Sequence, residues 1–271
     1  MTRVGVAHTF LAMMARDLRV MRRGFVSTFL RVFIQPALIV FTFAYVMPKI
    51  GTAPAVAGAA GPAATFSTVL VPGIIGMSML TQGLMAVTFP LLRELGWERS
   101  IEDRVLAPAP VWLLGLQKIA AGAVQGLIAG LLVFPVVTLL HAEGQGPAIA
   151  WERWPLFLAI MVCGALLAAS LGLWLGTVID AAQVQAMIAV VLLPITMLGC
   201  LYYPWAALSE VRWVQVAVLA NPLVYLNEAL RATITPGIPH MPVWAFLGVL
   251  LLGTAALAWL GTRSFTRRVL A

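Results

Sequence analysis

The sequence predicts an all-α membrane protein of six transmembrane helices. An N-terminal amphipathic helix lies on the membrane, a short charged helix sits on the cytoplasmic side, and a helical hairpin re-enters from the outer side. Three observations carry this reading: the scarcity of charge, the spacing of long apolar runs, and the placement of arginine. Of the 271 residues, 62% are hydrophobic and only 10% charged, against roughly 25% charged in a soluble domain. Mean hydropathy is +0.98. A surface so poor in charge would aggregate in water, so lipid is the solvent. Each span needs about 20 apolar residues. Runs at 29–48, 66–92, 112–140, 155–178, 183–203 and 242–262 meet that need. With their loops they occupy the chain 1–271 as a single transmembrane domain, and no separate soluble domain is expected.

Orientation follows from the basic residues. With the N-terminus in the cytoplasm, the inner side holds Arg3, Arg16, Arg19, Arg22, Arg23, Arg31, Arg93, Arg99, Arg104, Lys118, Arg263, Arg267 and Arg268. The outer side holds only Lys49, Arg153, Arg212 and Arg231. The reverse topology would violate the positive-inside bias. An even number of spans puts both termini in the cytoplasm. Trp112, Trp151, Trp154, Trp205 and Trp244 fall near span ends, as in an interfacial aromatic belt. The net charge of +7 is no nucleic-acid signature, because these arginines flank apolar runs and form no exposed stripe.

Residues 1–28 read as the interfacial helix. Phe10, Met14, Leu18, Met21 and Phe25 share one narrow face, with Arg16, Arg19 and Arg23 opposite. Asp17 sits beside the apolar stripe and fits a salt bridge to a nearby arginine or a contact to another subunit, the salt bridge being preferred. This start lacks the short apolar core of a cleavable signal peptide, so none is expected.

Small residues recur at spacing four in two spans: Gly122, Gly126 and Gly130, then Gly164, Ala168, Gly172 and Gly176. Such rows let helix backbones approach closely in lipid, within one chain or between two. Residues 204–241 are less regular. Ser209 can cap a helix at 210–219. Asn221-Pro222 reads as an N-cap followed by proline at the first helical position, opening a second short helix to about Ala232. Each piece is too short to span. Together they suggest the outer hairpin, in which Glu228 and Arg231, three apart, can pair.

The chemistry that is absent narrows the function. Cys163 and Cys200 are too few for a disulfide framework. His8, His141 and His240 lie outside the spans, so no buried Ser–His dyad is expected. No His/Cys/Asp/Glu cluster has metal-ligand spacing, so neither catalytic residues nor a metal site are predicted. No span carries an ionisable residue at its centre, as ion-coupled transporters usually do. Neither Lys49 nor Lys118 follows glycine, so a P-loop is excluded.

One segment stands apart. Residues 93–104 join spans two and three and hold the densest charge in the chain. Ser100 and Asp103 resemble a capping box. Ile101 and Val105 share a face, and Ala107-Pro108 stops the helix. Mixed charge together with Trp97, Ile101 and Val105 suits docking to a partner better than a solvated loop.

The amphipathic Arg-rich start, Leu70-Val71-Pro72-Gly73-Ile74, Arg99-Ser100-Ile101-Glu102-Asp103-Arg104-Val105-Leu106-Ala107-Pro108-Ala109-Pro110 and Ala220-Asn221-Pro222-Leu223-Val224-Tyr225-Leu226-Asn227-Glu228-Ala229-Leu230-Arg231 together resemble the permease subunits of bacterial type-2 ABC exporters. The resemblance covers nearly the whole chain, and the order and spacing of the motifs carry it. It implies a permease that pairs as a homodimer, or with a related chain as a heterodimer, and binds two ATP-binding cassette ATPases. ATP and Mg would sit on those partners, and this chain would hold no cofactor. By the resemblance, 93–110 is the coupling helix, with Glu94, Glu98, Arg99, Glu102, Asp103 and Arg104 as coupling residues. The interfacial helix, with Arg16, Asp17, Arg19 and Arg23, also contacts the ATPase. Spans two and five line the pathway and offer Ser78, Thr81, Gln82, Thr88, Gln183, Gln185 and Thr196. A few polar groups in an apolar wall suit an amphiphilic cargo: a lipid, a drug or a lipid-linked glycan. The outer hairpin would form part of the gate, with Tyr202, Tyr203, Asn221, Glu228 and Arg231. The expected site of action is the cytoplasmic membrane. Rival readings are an ion-coupled secondary transporter or channel, a membrane enzyme, and a passive scaffold.

Overall fold

The computed structural model describes residues 6–23, 25–51, 65–96, 110–144 and 146–270. Among these residues there is helix and no strand. Helix α1 is Val6–Arg23. Helix α2 is Phe25–Val40 and continues through a π-turn, Phe41–Val46, into Met47–Lys49. Three long helices follow: α3 (Phe66–Gly96), α4 (Val111–Leu139) and α5 (Trp154–Val178). Helix α6 runs Val184–Met187, passes through a π-stretch at Ile188–Leu192 and ends with Leu193–Met197. Then come α7 (Arg212–Ala217), α8 (Pro222–Ile234) and α9 (Val243–Leu270).

Among the described residues, α3, α4, α5 and α9 are long and apolar enough to cross a bilayer. The two other segments the sequence counts as spans are shorter as apolar helices, Phe33–Lys49 and Val184–Met197. Helix α6 ends at Met197, short of the expected 203, because the chain turns at Leu198 and Cys200 takes a left-handed backbone (φ 52°). That turn proves central to the site.

Helix α3 is the hub. Most of it is buried, while α9 is buried along a narrow seam only. The reason is composition. Helix α3 meets neighbours through glycine seams, whereas α9 shows Trp244, Leu251, Leu252, Trp259 and Leu260 outward. Both small-residue rows pack within the chain, against α3. A β-carbon on Gly126 would lie 3.0 Å from the Met79 carbonyl oxygen, and one on Gly172 only 2.5 Å from that of Leu84. Backbones this close leave no room for a side chain, and the Thr88 hydroxyl uses the approach to donate to the Gly172 carbonyl at 2.9 Å. Gly172→Val is therefore expected to destabilise by about 1–3 kcal/mol through overpacking. An unchanged melting curve of the purified variant would remove this seam from the account.

Alternation of the helices gives two ends. Gly122 opposes Val87 and Gly130 opposes Ile75 across α3 and α4. One end gathers Arg93, Lys118, Arg263, Arg267 and Arg268, and is called the basic end below. The other carries α8 and is called the hairpin end. At the basic end Lys118 Nζ donates to Glu94 Oε2 at 2.7 Å, with both side chains nearly buried. Arg268 closes α5 by donating to the Thr177 carbonyl at 2.5 Å and pairing with Asp180 at 2.7 Å.

Helix α1 packs on α4. Asp17 Oδ2 accepts from Gln117 Nε2 at 2.5 Å. This corrects the expected arginine salt bridge, since Asp17 forms no ion pair among the described residues. Packing turns it inward, where Gln117 is buried. Arg16 and Arg19 are exposed on the other face, and the Arg19 guanidinium donates to its own helix at the Ala15 carbonyl, 3.1 Å.

Candidate functional site

A cavity of about 540 Å³ opens between α2, α3 and α6. Helix α2 contributes Gln35 and Pro36, α3 contributes Ser78, Thr81 and Gln82, and α6 contributes Leu192 and Thr196. Apolar side chains make most of the wall. Both π-stretches lie on α2 and α6, the two helices that flank α3 here. A π-turn widens the helix and leaves a carbonyl without its usual partner, a feature common at working sites.

The polar groups of this groove differ in availability. Thr81 donates its hydroxyl to the Met77 carbonyl at 2.7 Å, and Thr196 donates to Leu192 at 3.0 Å. Each therefore turns its methyl outward as much as its oxygen. Gln35, Gln82 and Gln125 line the groove with no such local bond among the described residues. Gln35 and Gln125 carry no motif. Their signal in the sequence was a glutamine within an apolar run.

Of the pathway residues expected from sequence, Ser78, Thr81, Gln82 and Thr196 meet at this groove. Thr88 does not, because it is fully buried on the α5 side of α3 with its hydroxyl on Gly172. Gln183, in the turn before α6, and Gln185, at its start, are exposed at the end away from the cavity and line no part of it.

The groove ends at the broken terminus of α6. Here the chain turns at Leu198, and the Leu201 carbonyl packs onto Gly73 so closely that a β-carbon there would sit 2.3 Å from it. Gly73 adjoins Ile74, which lines the groove. The turn frees backbone carbonyls that no helix bond can satisfy, and a buried unpaired carbonyl is costly. Helix α8 supplies the missing donors. Asn221 Nδ2 donates to the Ile195 carbonyl at 2.7 Å, Asn227 Nδ2 to Gly199 at 2.6 Å, and Arg231 Nη2 to Cys200 at 3.3 Å. Asn221 also caps α8, accepting from the Leu223 amide at 2.9 Å.

Arg231 and Glu228 form a fully buried ion pair. Two further donors hold the carboxylate: the Trp205 amide at 2.9 Å and the Met241 amide at 2.9 Å. The carboxylate is satisfied by three donors, as a buried charge requires, while Arg231 Nε is left without a partner among the described residues. Glu228 thus ties three segments together: the stretch after the turn, α8, and the entry to α9. Tyr202 packs against Phe43 in the π-turn after α2, the rings tilted and their centroids 5.2 Å apart, which joins α2 to the same assembly.

Helix α8 sits deep against the long helices. Leu226 packs on Gly164, ten residues into α5, and Asn227 on Gly76, ten residues into α3. At 1.5 Å per residue this is roughly 15 Å from the N-terminal end of each helix. The expected Ser209 cap is not made. A 3-10 turn covers Trp205–Glu210, and Val211 precedes α7 with no side-chain cap, because the Trp205 indole and Gln215 bridge the two segments instead.

Other sequence-based site residues divide by place. Glu94 is buried on Lys118, and Arg93 is exposed at the end of α3. Glu98, Arg99, Glu102, Asp103 and Arg104 lie outside the described residues, as does the side chain of Arg23. Sequence reasoning named Asn221, Glu228 and Arg231, but missed Asn227. The available signal was Asn227 and Arg231 at i, i+4 inside an apolar helix. Among the described residues no group of His, Cys, Asp and Glu could hold a metal ion.

The family model described as ABC-2 type transporter matches residues 8–235. Similar curated proteins include the inner membrane transport permease YadH of Escherichia coli (strain K12), Escherichia coli O157:H7 and Shigella flexneri. Each is 27% identical over 184 residues, which cover 68% of this chain and 68% of the relative.

Proposed function

The chain belongs to the ABC-2 type transporter family, and we propose that it is the permease subunit of an ATP-driven exporter that moves an amphiphilic substrate by alternating access. Family membership makes it a transport subunit rather than a catalyst, and implies an ATPase partner. The observation that carries the rest is the groove: an apolar wall with Ser78, Gln82, Gln35 and Gln125 placed among π-turned helices. Such a surface suits a lipid, a drug or a lipid-linked glycan better than an ion.

In this reading the chain crosses the inner membrane six times. The shorter α2 and α6 count as spans, and the basic end faces the cytoplasm with both termini. Helix α1 lies on the inner surface. Helix α8 is re-entrant from outside, supported by its depth against Gly76 and Gly164. Two copies, or one copy and a related chain, pair so that their grooves face each other.

The partner ATPases hold ATP and Mg and close on binding them. Residues 93–110 carry that motion, with Glu98, Arg99, Glu102, Asp103 and Arg104 at the contact. Glu94 acts one step back. Its ion pair to Lys118 fixes the root of the connector to α4, so a push on the connector moves α3 and α4 as one body. The turn at 198–203 and α8 then form the outer gate through Tyr202, Tyr203, Asn221, Glu228 and Arg231.

The test is a pull-down of the tagged chain from native membranes. An ATPase is expected to co-purify, and Glu102→Ala or Arg104→Ala to lower its activity while the complex stays assembled. Absence of any ATPase in a stable preparation would defeat the exporter reading.

A further inference from the structure

The basic end carries a second cavity, apart from the groove. It lies between the start of α4 and the end of α9, measures about 650 Å³, and is lined by Trp112, Trp259, Thr262, Arg263, Arg267 and Leu270. Arg263 and Arg267 are four apart and so share one helix face. Both are exposed. Neither has a carboxylate partner among the described residues, in contrast to Arg268, which turns the other way to Asp180. The Arg263 guanidinium lies over the Trp259 ring, 5.0 Å from its centroid. That contact orients the guanidinium and leaves its donors open to an anion.

Depth decides what the anion belongs to. Helix α9 begins at Val243 and carries no charged residue before Arg263. At 1.5 Å per residue, twenty residues place Arg263 about 30 Å along the helix, which matches the hydrocarbon thickness of a bilayer. The two arginines therefore stand at headgroup level. Trp112 and Trp259, both half-exposed, form the apolar floor beneath them. Leu252 and Leu260 continue an exposed apolar track along α9 toward the bilayer centre. A soluble phosphate would use the arginines and leave the floor and track bare.

We propose that this cleft is a binding site for an anionic phospholipid, with the headgroup phosphate held by Arg263 and Arg267 and an acyl chain laid over Trp259 along α9. Basic pockets between membrane helices take lipid headgroups by this combination of charge and apolar contact. The site is distinct from the groove, since α9 contributes nothing to that cavity. It rests on the reading of α9 as a membrane-crossing helix and on no step of transport.

Native mass spectrometry of the full chain, purified in neutral detergent and offered equal phosphatidylglycerol and phosphatidylcholine, tests it. The first bound phosphatidylglycerol is expected to be preferred roughly thirtyfold, the effect of two arginines near a headgroup. Arg263→Gln with Arg267→Gln should bring that preference close to one. Both side chains are exposed, so the variant should elute and melt as the parent does. Arg212→Gln, an exposed arginine of α7 at the hairpin end, should keep the preference. No preference in the parent, an unchanged preference in the double variant, or equal loss in Arg212→Gln would each overturn the site. Displacement of the lipid by inorganic phosphate alone would reduce it to an ion site and defeat the lipid claim. A change in oligomeric state in the double variant, with lipid preference kept, would mean that a second chain covers the cleft. ATPase co-purification is scored on the same preparation, so the transport reading and the lipid site can fail separately.

Discussion

Glu228→Ala should be among the most destabilising single substitutions in this protein, at about 3–5 kcal/mol, because it strands the buried Arg231 charge. It also removes the acceptor for the Trp205 and Met241 amides. Arg231→Ala should cost less. Glu228 would keep those two amide donors, whereas Arg231 without Glu228 keeps only the Cys200 carbonyl at 3.3 Å. Glu210→Ala, exposed on the same side of the molecule, should be close to neutral. Thermal unfolding of the three variants in detergent, followed by size-exclusion recovery, orders them. If Glu228→Ala melts with the parent, or if Arg231→Ala is the worse of the two, the account of the clamp is wrong. The comparison also separates structure from gating: a clamp variant that folds normally and changes only transport would assign the pair to the gate alone.

Thr81→Trp should abolish cargo-dependent turnover while leaving the complex assembled. Thr81 lines the groove midway along α3, and an indole there would fill the space between Gln35, Gln82 and Thr196. The expected effect on compound-stimulated ATPase activity of the reconstituted complex is roughly tenfold or more, corresponding to about 1.4 kcal/mol or more of lost cargo binding. Basal ATPase activity should persist, since the partner's nucleotide site is untouched. Thr138→Trp is the control, because Thr138 is exposed on α4 away from the groove and bonds only to its own helix at the Phe134 carbonyl, 2.9 Å. A panel of lipids and hydrophobic drugs that stimulates the parent and Thr81→Trp equally would place the pathway elsewhere.

Particular residues show how far composition and pattern reach. Four long apolar helices and the short helix after Asn221 were legible because hydropathy and helix breakers act locally. The Asn221 cap was legible for the same reason, since capping needs only the next two residues. The glycine rows announced close packing but could not name the partner, and the structure brings both rows to α3. Thr88, Gln183 and Gln185 were grouped with the groove by their segments, yet Thr88 leaves it by its helical face and the two glutamines by their position at the far end of α6. Which face of a helix meets which neighbour is set by packing, and no local propensity reports it.

Hydropathy and helix punctuation, properties of short windows, determined by themselves that this chain is helical and carries long apolar helices, and that a proline-started helix opens at Asn221. Only the tertiary structure decided what becomes of the carbonyls freed where α6 breaks at Leu198. Their donors, Asn221, Asn227 and Arg231, come from a helix more than twenty residues further on. A buried polar group must be satisfied by whatever the fold brings within bonding distance. For that reason the pairing of α6 with α8, and the place of Glu228 between them, belong to the packed molecule and not to any stretch of its sequence.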